Sequence, residues 1–344
     1  LTPADNTVSK IVVTGGAGFI GSHTAVSLVA AGFEPIIVDN FSNSEKNILN
    51  GLEQILGRRL TCYEADCNDA DAMETIFASE RPIGIIHFAA SKAVGESVQK
   101  PLLYYRNNLN SLMVMLELMP KYQVHNLVFS SSCTVYGQPE RLPVTEATPR
   151  LPASSPYGNT KAMCEDIIRD CVAAVMPVKA ISLRYFNPIG AHPSALIGEL
   201  PRGVPANLVP YLLQVAAGQR ESLTIHGNDY NTPDGTAIRD YIHVMDLADA
   251  HVSALQLLNQ KNTDSFYDIF NIGTGRGASV LELINTFEEI NGIKLPYTLG
   301  PRRPGDIEQI YADVSKATEG LRWTAKRSLA DALQDAWRWQ QTLS

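Results

Sequence analysis

Two residue types able to move a proton stand four positions apart in the stretch SSPYGNTKAM, residues 154–163: Tyr157 and Lys161. On a helix that spacing puts both side chains on one face, a turn apart. A tyrosine with its ordinary pKa of about 10 is a poor base at neutral pH. A neighbouring ammonium stabilises the phenolate, as does the positive ring of an oxidised nicotinamide, and both lower that pKa. The spacing predicts that Lys161 serves Tyr157 in this way. Pairs of this kind also arise on solvated helix faces, so the rest of the chain has to decide.

Two further features favour chemistry. In NLVFSSSCTVYG an apolar run ends in three serines, Ser130 to Ser132. Open α/β sheets bind ligands at such strand ends, and a serine there is suited to hold a hydroxyl or carbonyl opposite the tyrosine. In KIVVTGGAGFIGSHTAVSLVAAG a β-branched run meets a glycine turn and then an amphipathic helix. Gly16, Gly18 and Gly21 match GxGxxG, and Gly15 tightens the turn. Glycines there let the backbone approach a pyrophosphate whose charge sits at the helix N-terminus. A second apolar run ends in Asp39, 18 positions after Gly21, close to the interval expected for the acid that binds an adenine ribose. A carboxylate accepts from a ribose 2′-hydroxyl and repels a 2′-phosphate, so the cofactor expected is NAD rather than NADP.

The elements that must carry these residues follow from patterning. KIVVTG, EPIIVDN, LTCYEAD, IGIIHFAA, NLVFSSS and VKAISLRYFN are apolar on both faces, as strands buried between two helical layers are. Helical segments such as DAMETIFASE and NNLNSLMVMLELMPK lie between them. Alternation of this kind predicts an α/β, doubly wound parallel sheet of Rossmann type. After residue 187 the texture changes: NPIGAHPSALIGELPRGVPAN is rich in Pro and Gly and reads as loops over a pocket. DYIHVMDLADAHVSALQLL and YDIFNIGTG read as a helix and strand returning to the first domain. The division expected is a cofactor domain over 8–187, rejoined by 238–276, and a smaller, discontinuous substrate lobe over 188–344, mainly 188–237 and 277–344.

Composition excludes several classes. The chain has 344 residues, 45% of them apolar and only 19% charged, with a net charge of −8. That argues against a general nucleic-acid or acidic-membrane binder, which carries a basic face. No apolar run approaches the length of a membrane span. The opening LTPADNTVSK has no apolar h-region, so no signal peptide is expected there, and it reads as a short mobile arm. The five cysteines, Cys62, Cys67, Cys133, Cys164 and Cys171, form no CxxC pair and read as free thiols in a reducing cytoplasm. The seven histidines have no metal-ligand spacing, so no metal is expected.

The combination of TGGAGFIG, SSSCTVYG and YGNTK resembles the extended short-chain dehydrogenase/reductase family. HFAASKAVGESVQKPLLYYRNN, LRYFNPIGAHPS and RDYIHVMDLADAH are similar, more narrowly, to UDP-glucose/UDP-galactose 4-epimerases, and the resemblance runs from about residue 9 to residue 340. It implies that Ser132, Tyr157 and Lys161 are the catalytic serine, tyrosine and lysine. It implies NAD held by Gly15, Gly18 and Gly21 with Asp39. Phe88, Ala89, Ala90, Lys92, Asn107 and Phe186 would line the nicotinamide end, with Tyr157 and Lys161 beside them. Phe19, Ile20, Asn40, Asn43, Ser44, Asp66 and Cys67 would touch the pyrophosphate or adenosine end. Asn187, Asn207, Leu208, Arg239 and Arg303 would bind a UDP-sugar, with Asp306 at the uridine end and Lys92, Ser132 and Tyr157 at the sugar. Guanidinium forks suit a diphosphate. The resemblance also implies a homodimer through a four-helix bundle built on NNLNSLMVMLELMPK and NTKAMCEDIIRDCVAAV.

Relatives on this scaffold oxidise a sugar at C4 and then diverge. Dehydratases of the family carry an Asp-Glu pair just after the strand-end Ser or Thr, and decarboxylases place a Glu before VYG. Cys133 and Thr134 stand there in this chain, and neither is an acid–base group near neutral pH. Elimination is therefore disfavoured, and return of the hydride, which is 4-epimerisation, is expected. A position after RRPGD gates the sugar pocket in the family. A Tyr there excludes N-acetyl groups, and smaller residues admit them. Ungapped counting puts Ile310 at the gate, which predicts that UDP-GlcNAc and UDP-GalNAc are also substrates; a one-residue slip puts Tyr311 there and reverses the prediction. His226 stands where a Phe is common beside the uracil. The competing readings are a dedicated UDP-N-acetylglucosamine 4-epimerase, a dehydrogenase that releases its reduced cofactor, and a non-catalytic NAD-binding sensor.

Overall fold

A computed structural model of the chain describes residues 8–174, 176–303 and 306–343. The opening residues 1–7 of the expected arm, residue 175 of the second bundle segment, and the Pro-Gly of RRPGD lie outside the described residues.

Strands and helices alternate through the first half as the apolar runs require: β1 Lys10–Thr14, α1 Phe19–Ala30, β2 Glu34–Asp39, α2 Ile48–Leu56, β3 Cys62–Glu64, α3 Ala70–Glu80 and β4 Gly84–His87. They continue through α4 Val94–Gln99, α5 Pro101–Lys121, β5 Asn126–Ser132, α6 Pro156–Ala173 and β6 Lys179–Tyr185. The second half carries shorter strands: β7 Asn187–Ile189, α7 Leu208–Ala216, β8 Leu223–His226, β9 Ile238–Arg239, β10 Tyr241–His243 and α8 Val244–Gln260. It ends with β11 Phe266–Ile272, β12 Ala278–Ser279, α9 Val280–Asn291, β13 Tyr297–Gly300, β14 Gln309–Ile310, α10 Ser315–Gly320 and α11 Leu329–Thr342.

Seven strands form one sheet in the order β11-β6-β5-β4-β1-β2-β3, and every neighbouring pair is parallel. The chain runs outward from β1 through β2 to β3, then crosses back to β4 on the other side of β1 and proceeds through β5 and β6 to β11. This reversal opens a crevice at the carboxyl ends of β1 and β4, where doubly wound sheets bind their ligands. Val12, Ile36, Ile85 and Leu127 face one buried layer with α3 and α5, while Ile11, Val13, Ile37 and Ile86 face another with α1 and α8. Double-sided burial is why these strands read as continuous apolar runs rather than alternating ones.

A third cluster, with Leu212, Leu223, Leu283, Phe287 and Leu333, is built from α7, β8, α9 and α11. Of the small sheets of this region, β10 with β7 follows directly from the end of β6, β9 between β12 and β14 brings Ile310 to the cluster at the carboxyl end of β5, and β13 with β8 packs in the third cluster. A fourth, small cluster joins the two regions: Cys133, Val135, Tyr136 and Phe186 from the sheet's carboxyl end pack on Ile310 and Ala312.

Candidate active site

The glycine turn closes the end of β1 under steric constraints that admit no side chain at its crowded points. Gly15 has φ +67°, and a Cβ there would lie 2.9 Å from the amide nitrogen of Ala89; one on Gly21 would lie 2.3 Å from the carbonyl oxygen of Gly15. Gly18 precedes α1 with no side-chain cap and no acidic residue in the first turn, so the helix itself offers no carboxylate to the amides at Phe19 and Ile20. Asp39 is buried beside this turn. One carboxylate oxygen accepts from the Ala17 N–H at 3.0 Å, and the other accepts from the Phe41 N–H at 2.9 Å and the Ser44 hydroxyl at 2.7 Å. A carboxylate has about four acceptor sites, so capacity remains for a ribose hydroxyl. A cradle of glycine backbone, an uncapped helix start and an acid at the end of β2 fit a dinucleotide.

The remaining residues expected at the adenosine end lie next to Asp39. Asn40 donates to Asp66 at 3.2 Å, and Asp66 is held below the usual carboxylate range by Asn68 and Asn40, against the opposing effect of burial. Asn43 is exposed, and Cys67 is buried with its thiol pushed up to about 12 by burial. At the other end, the loop Phe88–Ala90 leaves β4 against the Gly15 turn, and the Phe88 ring packs on His251 at 4.6 Å. Asn107 donates to the Ser91 hydroxyl at 3.0 Å. Phe186 is buried at the end of β6.

Ser132 ends β5 and caps the short turn Cys133–Tyr136: its hydroxyl oxygen accepts from the Thr134 N–H at 3.2 Å and the Thr134 hydroxyl at 3.0 Å. Pro156 opens α6 behind the Ser155 cap, placing Tyr157 in the first turn and Lys161 in the second. All three are buried, and the Ser132 hydroxyl acts on the Tyr157 phenol. Their electrostatics depart from the expectation of a phenol activated by Lys161. Burial raises the Tyr157 pKa well above that of a free tyrosine, opposed by the Ser132 hydrogen bond. The Lys161 ammonium donates to the Ser130 carbonyl at 2.6 Å and lies 6.0 Å from the centre of the Tyr157 ring; burial lowers its own pKa to about 8. Desolvation disfavours both charged forms at once, so each moves away from the other's help.

The arginines expected at a diphosphate converge from β9 and from the segment after β13. Arg239 on β9 and Arg303 flank Asp306, at 3.6 Å and 3.0 Å respectively. Asn187 begins β7 and donates its N–H to the Asp240 carbonyl at 3.0 Å. Asn207 starts α7 ahead of Leu208. Ile310 pairs with Arg239 across the β14–β9 ladder and is buried against Cys133 and Phe186, while the Tyr311 ring lies on the opposite side, against Gly277.

Several contributors were invisible to pattern and spacing. Asn108 ties the loop after β4 to α6: its side chain accepts from the Ser91 N–H at 2.8 Å and donates to the Ser91 carbonyl at 3.1 Å and the Thr160 hydroxyl at 2.9 Å. Glu199, from the Pro/Gly-rich segment, reaches Lys92 at 3.8 Å; burial raises its pKa, against the charge of Lys92 and a hydrogen bond from Asn207. Arg202 donates to the Ser42 carbonyl at 2.5 Å and the Ser44 carbonyl at 2.9 Å, joining that segment to the loop after β2.

A UDP-glucose 4-epimerase of Bacillus subtilis is 52% identical over 333 residues, covering 96% of this chain and 97% of that protein. The chain belongs to the UDP-glucose 4-epimerase family. The crystal structure of the family member from Bifidobacterium longum in complex with NAD+ and UDP is 46% identical, with a TM-score of 0.92, over 97% of this chain and 98% of that one. The member from Stenotrophomonas maltophila, solved with NAD and formylated UDP-arabinopyranose, is 43% identical with a TM-score of 0.94, over 97% and 98% of the two chains. The broader sequence profile described as GDP-mannose 4,6 dehydratase matches residues 12–336.

Proposed function

We propose that the chain interconverts UDP-glucose and UDP-galactose, oxidising the hexose at C4 and reducing the ketone from its other face. NAD, when bound, supplies the hydride acceptor and donor and, in its oxidised form, a positive charge beside the phenol. Tyr157 removes the proton from the 4-hydroxyl and returns it at the end of the cycle. Ser132 holds the same oxygen from the strand side, and Lys161 contributes positive charge within the buried site. Arg239 and Arg303 grip the diphosphate, which leaves the sugar free to turn about its tether; tight binding of the ring itself would slow that turn.

The observation that carries epimerisation over elimination is the state of the two residues after Ser132. Burial pushes the Cys133 thiol up to about 12, and the Thr134 hydroxyl is spent on Ser132. Neither is able to act as acid or base near neutral pH. Incubation of UDP-galactose with the purified chain and no added NAD tests this reading: UDP-glucose should form without accumulation of reduced nicotinamide. A sensor would give no product, and a dehydrogenase would accumulate NADH.

The position of Ile310 favours a wider substrate range. Its side chain, smaller than tyrosine, belongs to the cluster of Cys133, the residue after Ser132, and Phe186, which supports entry of N-acetylated hexoses.

A second copy of the chain is the partner supported by the outer faces of α4, α5 and α6. Val98, Leu102, Leu103, Met113 and Met163 are exposed there. Apolar side chains this numerous on adjacent helices favour burial in a four-helix contact. Sedimentation should give a dimer that Leu102→Glu converts to a monomer; a monomeric wild type at micromolar concentration contradicts it. No helix among the described residues is long and apolar enough to cross a membrane. All five cysteines are free, which supports a reducing compartment such as the cytoplasm, and cell fractionation checks it.

A further inference from the structure

Tyr230 lies in the turn after β8, 6% exposed, and its hydroxyl has no hydrogen-bond partner among the described residues. Burial of an unpaired hydroxyl is costly and uncommon in folded proteins. The ring has little freedom to swing the hydroxyl toward solvent. Arg302 covers one face, its guanidinium carbon 4.1 Å from the ring centre, and is itself fixed by donating to the Asp229 carboxylate at 2.7 Å and the Asp229 carbonyl at 2.5 Å. The ring edge rests on Gly227, where φ is +84° and a Cβ would lie 2.4 Å from Cε2 of Tyr230. The turn is closed by the Tyr230 N–H donating to the Gly235 carbonyl at 3.0 Å. It is also tied to the strand beside Arg239: the Asn231 N–H donates to the Glu308 carboxylate, and the Gln309 side chain donates to the Asn231 carbonyl, both at 3.1 Å.

Arg302, stacked on the ring, directly precedes Arg303, and Asn231, directly after Tyr230, is bonded to Glu308 and Gln309 beside the ladder that carries Arg239. Arg239 and Arg303 are the arginines gathered around the Asp306 carboxylate. An acid held between two guanidinium groups marks where they converge on negative charge. The phenol is a neutral donor at the edge of that convergence, clamped and unspent. An O–H donor strengthens when its acceptor is an anion.

We propose that the Tyr230 hydroxyl donates a hydrogen bond to the diphosphate of the bound nucleotide, a third donor beside Arg239 and Arg303. The assignment rests on the nucleotide-sugar reading above and adds a residue to it. Tyr230 orients and holds the anion and takes no part in the proton transfer at C4.

The test is calorimetric titration of UDP and of uridine into the full-length, NAD-loaded chain, wild type and Tyr230→Phe. Phenylalanine keeps the ring and its packing on Gly227 and Arg302. UDP affinity should fall about tenfold, the magnitude of one hydrogen bond to a charged acceptor, while uridine affinity and bound NAD stay unchanged. The melting temperature of the unliganded variant should not fall, because the hydroxyl removed had no partner among the described residues. UDP affinity within twofold of wild type overturns the proposal, as does an equal loss for uridine, which would assign the hydroxyl to the nucleoside. A lowered melting temperature overturns it in favour of a structural role. A wild-type chain that binds no UDP would instead bring down the nucleotide-sugar reading itself.

Discussion

The Lys161 ammonium lies 2.6 Å from the carbonyl oxygen of Ser130, two residues before the serine that meets the Tyr157 phenol. It therefore joins α6 to the end of β5 as well as placing charge in the site. Its burial is costly for a cation, since it is only 3% exposed, and the Ser130 carbonyl, the Phe129 ring 4.9 Å away and the charge of Glu165 offset part of that cost.

A pH dependence follows from that burial. A lysine is cationic below its pKa, and this one is lowered to about 8. The positive charge that Lys161 contributes to the buried site is thus present at neutral pH and lost as the pH rises through about 8. The ratio kcat/KM should carry a descending limb near that value, and Lys161→Met should lower it by orders of magnitude at pH 7. A flat profile well past pH 8 would contradict the assignment.

The strand that presents Ser132 depends on a buried ion pair beneath it. Glu165 takes both ends of the Arg184 guanidinium, Nε at 2.9 Å and Nη2 at 2.6 Å, and also accepts from the Ser131 hydroxyl at 2.6 Å. Both charged side chains are almost wholly enclosed. Glu165→Ala strands the arginine and should cost about 3–5 kcal/mol, the usual penalty for leaving a buried charge unpaired. Denaturant unfolding reads this directly, and a loss under about 1 kcal/mol would show that water or another group compensates Arg184.

Sugar selectivity should turn on one face of β14. Ile310, on β14, belongs to the buried cluster of Cys133 and Phe186, while the Tyr311 ring, just past the strand, lies against Gly277. Ile310→Tyr should reduce turnover of UDP-N-acetylgalactosamine at least tenfold and spare UDP-galactose, whereas Tyr311→Phe should leave the ratio alone. Acetyl-sugar turnover unchanged in Ile310→Tyr would remove the gate from this position.

These residues also mark how far the sequence could be read. The parallel sheet was legible because its strands are buried on both faces, and burial writes itself into continuous apolar runs. The cofactor turn was legible for a similar reason: only glycine fits at Gly15 and Gly21, and the acid that ends β2 lies at a fixed interval. Spacing also put Tyr157 and Lys161 on one helix face, but it carries no information about burial or partners. That is why the phenol's raised pKa and the lysine's bond to Ser130 had to come from the fold. The choice between Ile310 and Tyr311 turns on which side chain enters the sugar pocket, which counting alone leaves open. Glu199, Arg202 and Tyr230 sit in segments without periodicity. Their neighbours, Lys92, the Ser42–Ser44 loop and the Arg239–Asp306–Arg303 group, meet them only through tertiary structure.

The central claim is that one tyrosine both takes and returns the C4 proton, so that no oxidised or dehydrated sugar leaves the site. Product analysis by NMR is the direct measurement, with UDP-galactose, purified chain and no added NAD, alongside Tyr157→Phe. Wild type should yield UDP-glucose as the sole new sugar nucleotide, with no growth of reduced-nicotinamide absorbance. The variant should be slower by a factor of about 10²–10⁴ while its NAD stays bound. Accumulation of a 4-keto or 6-deoxy sugar, stoichiometric NADH, or near-normal turnover by Tyr157→Phe would contradict it.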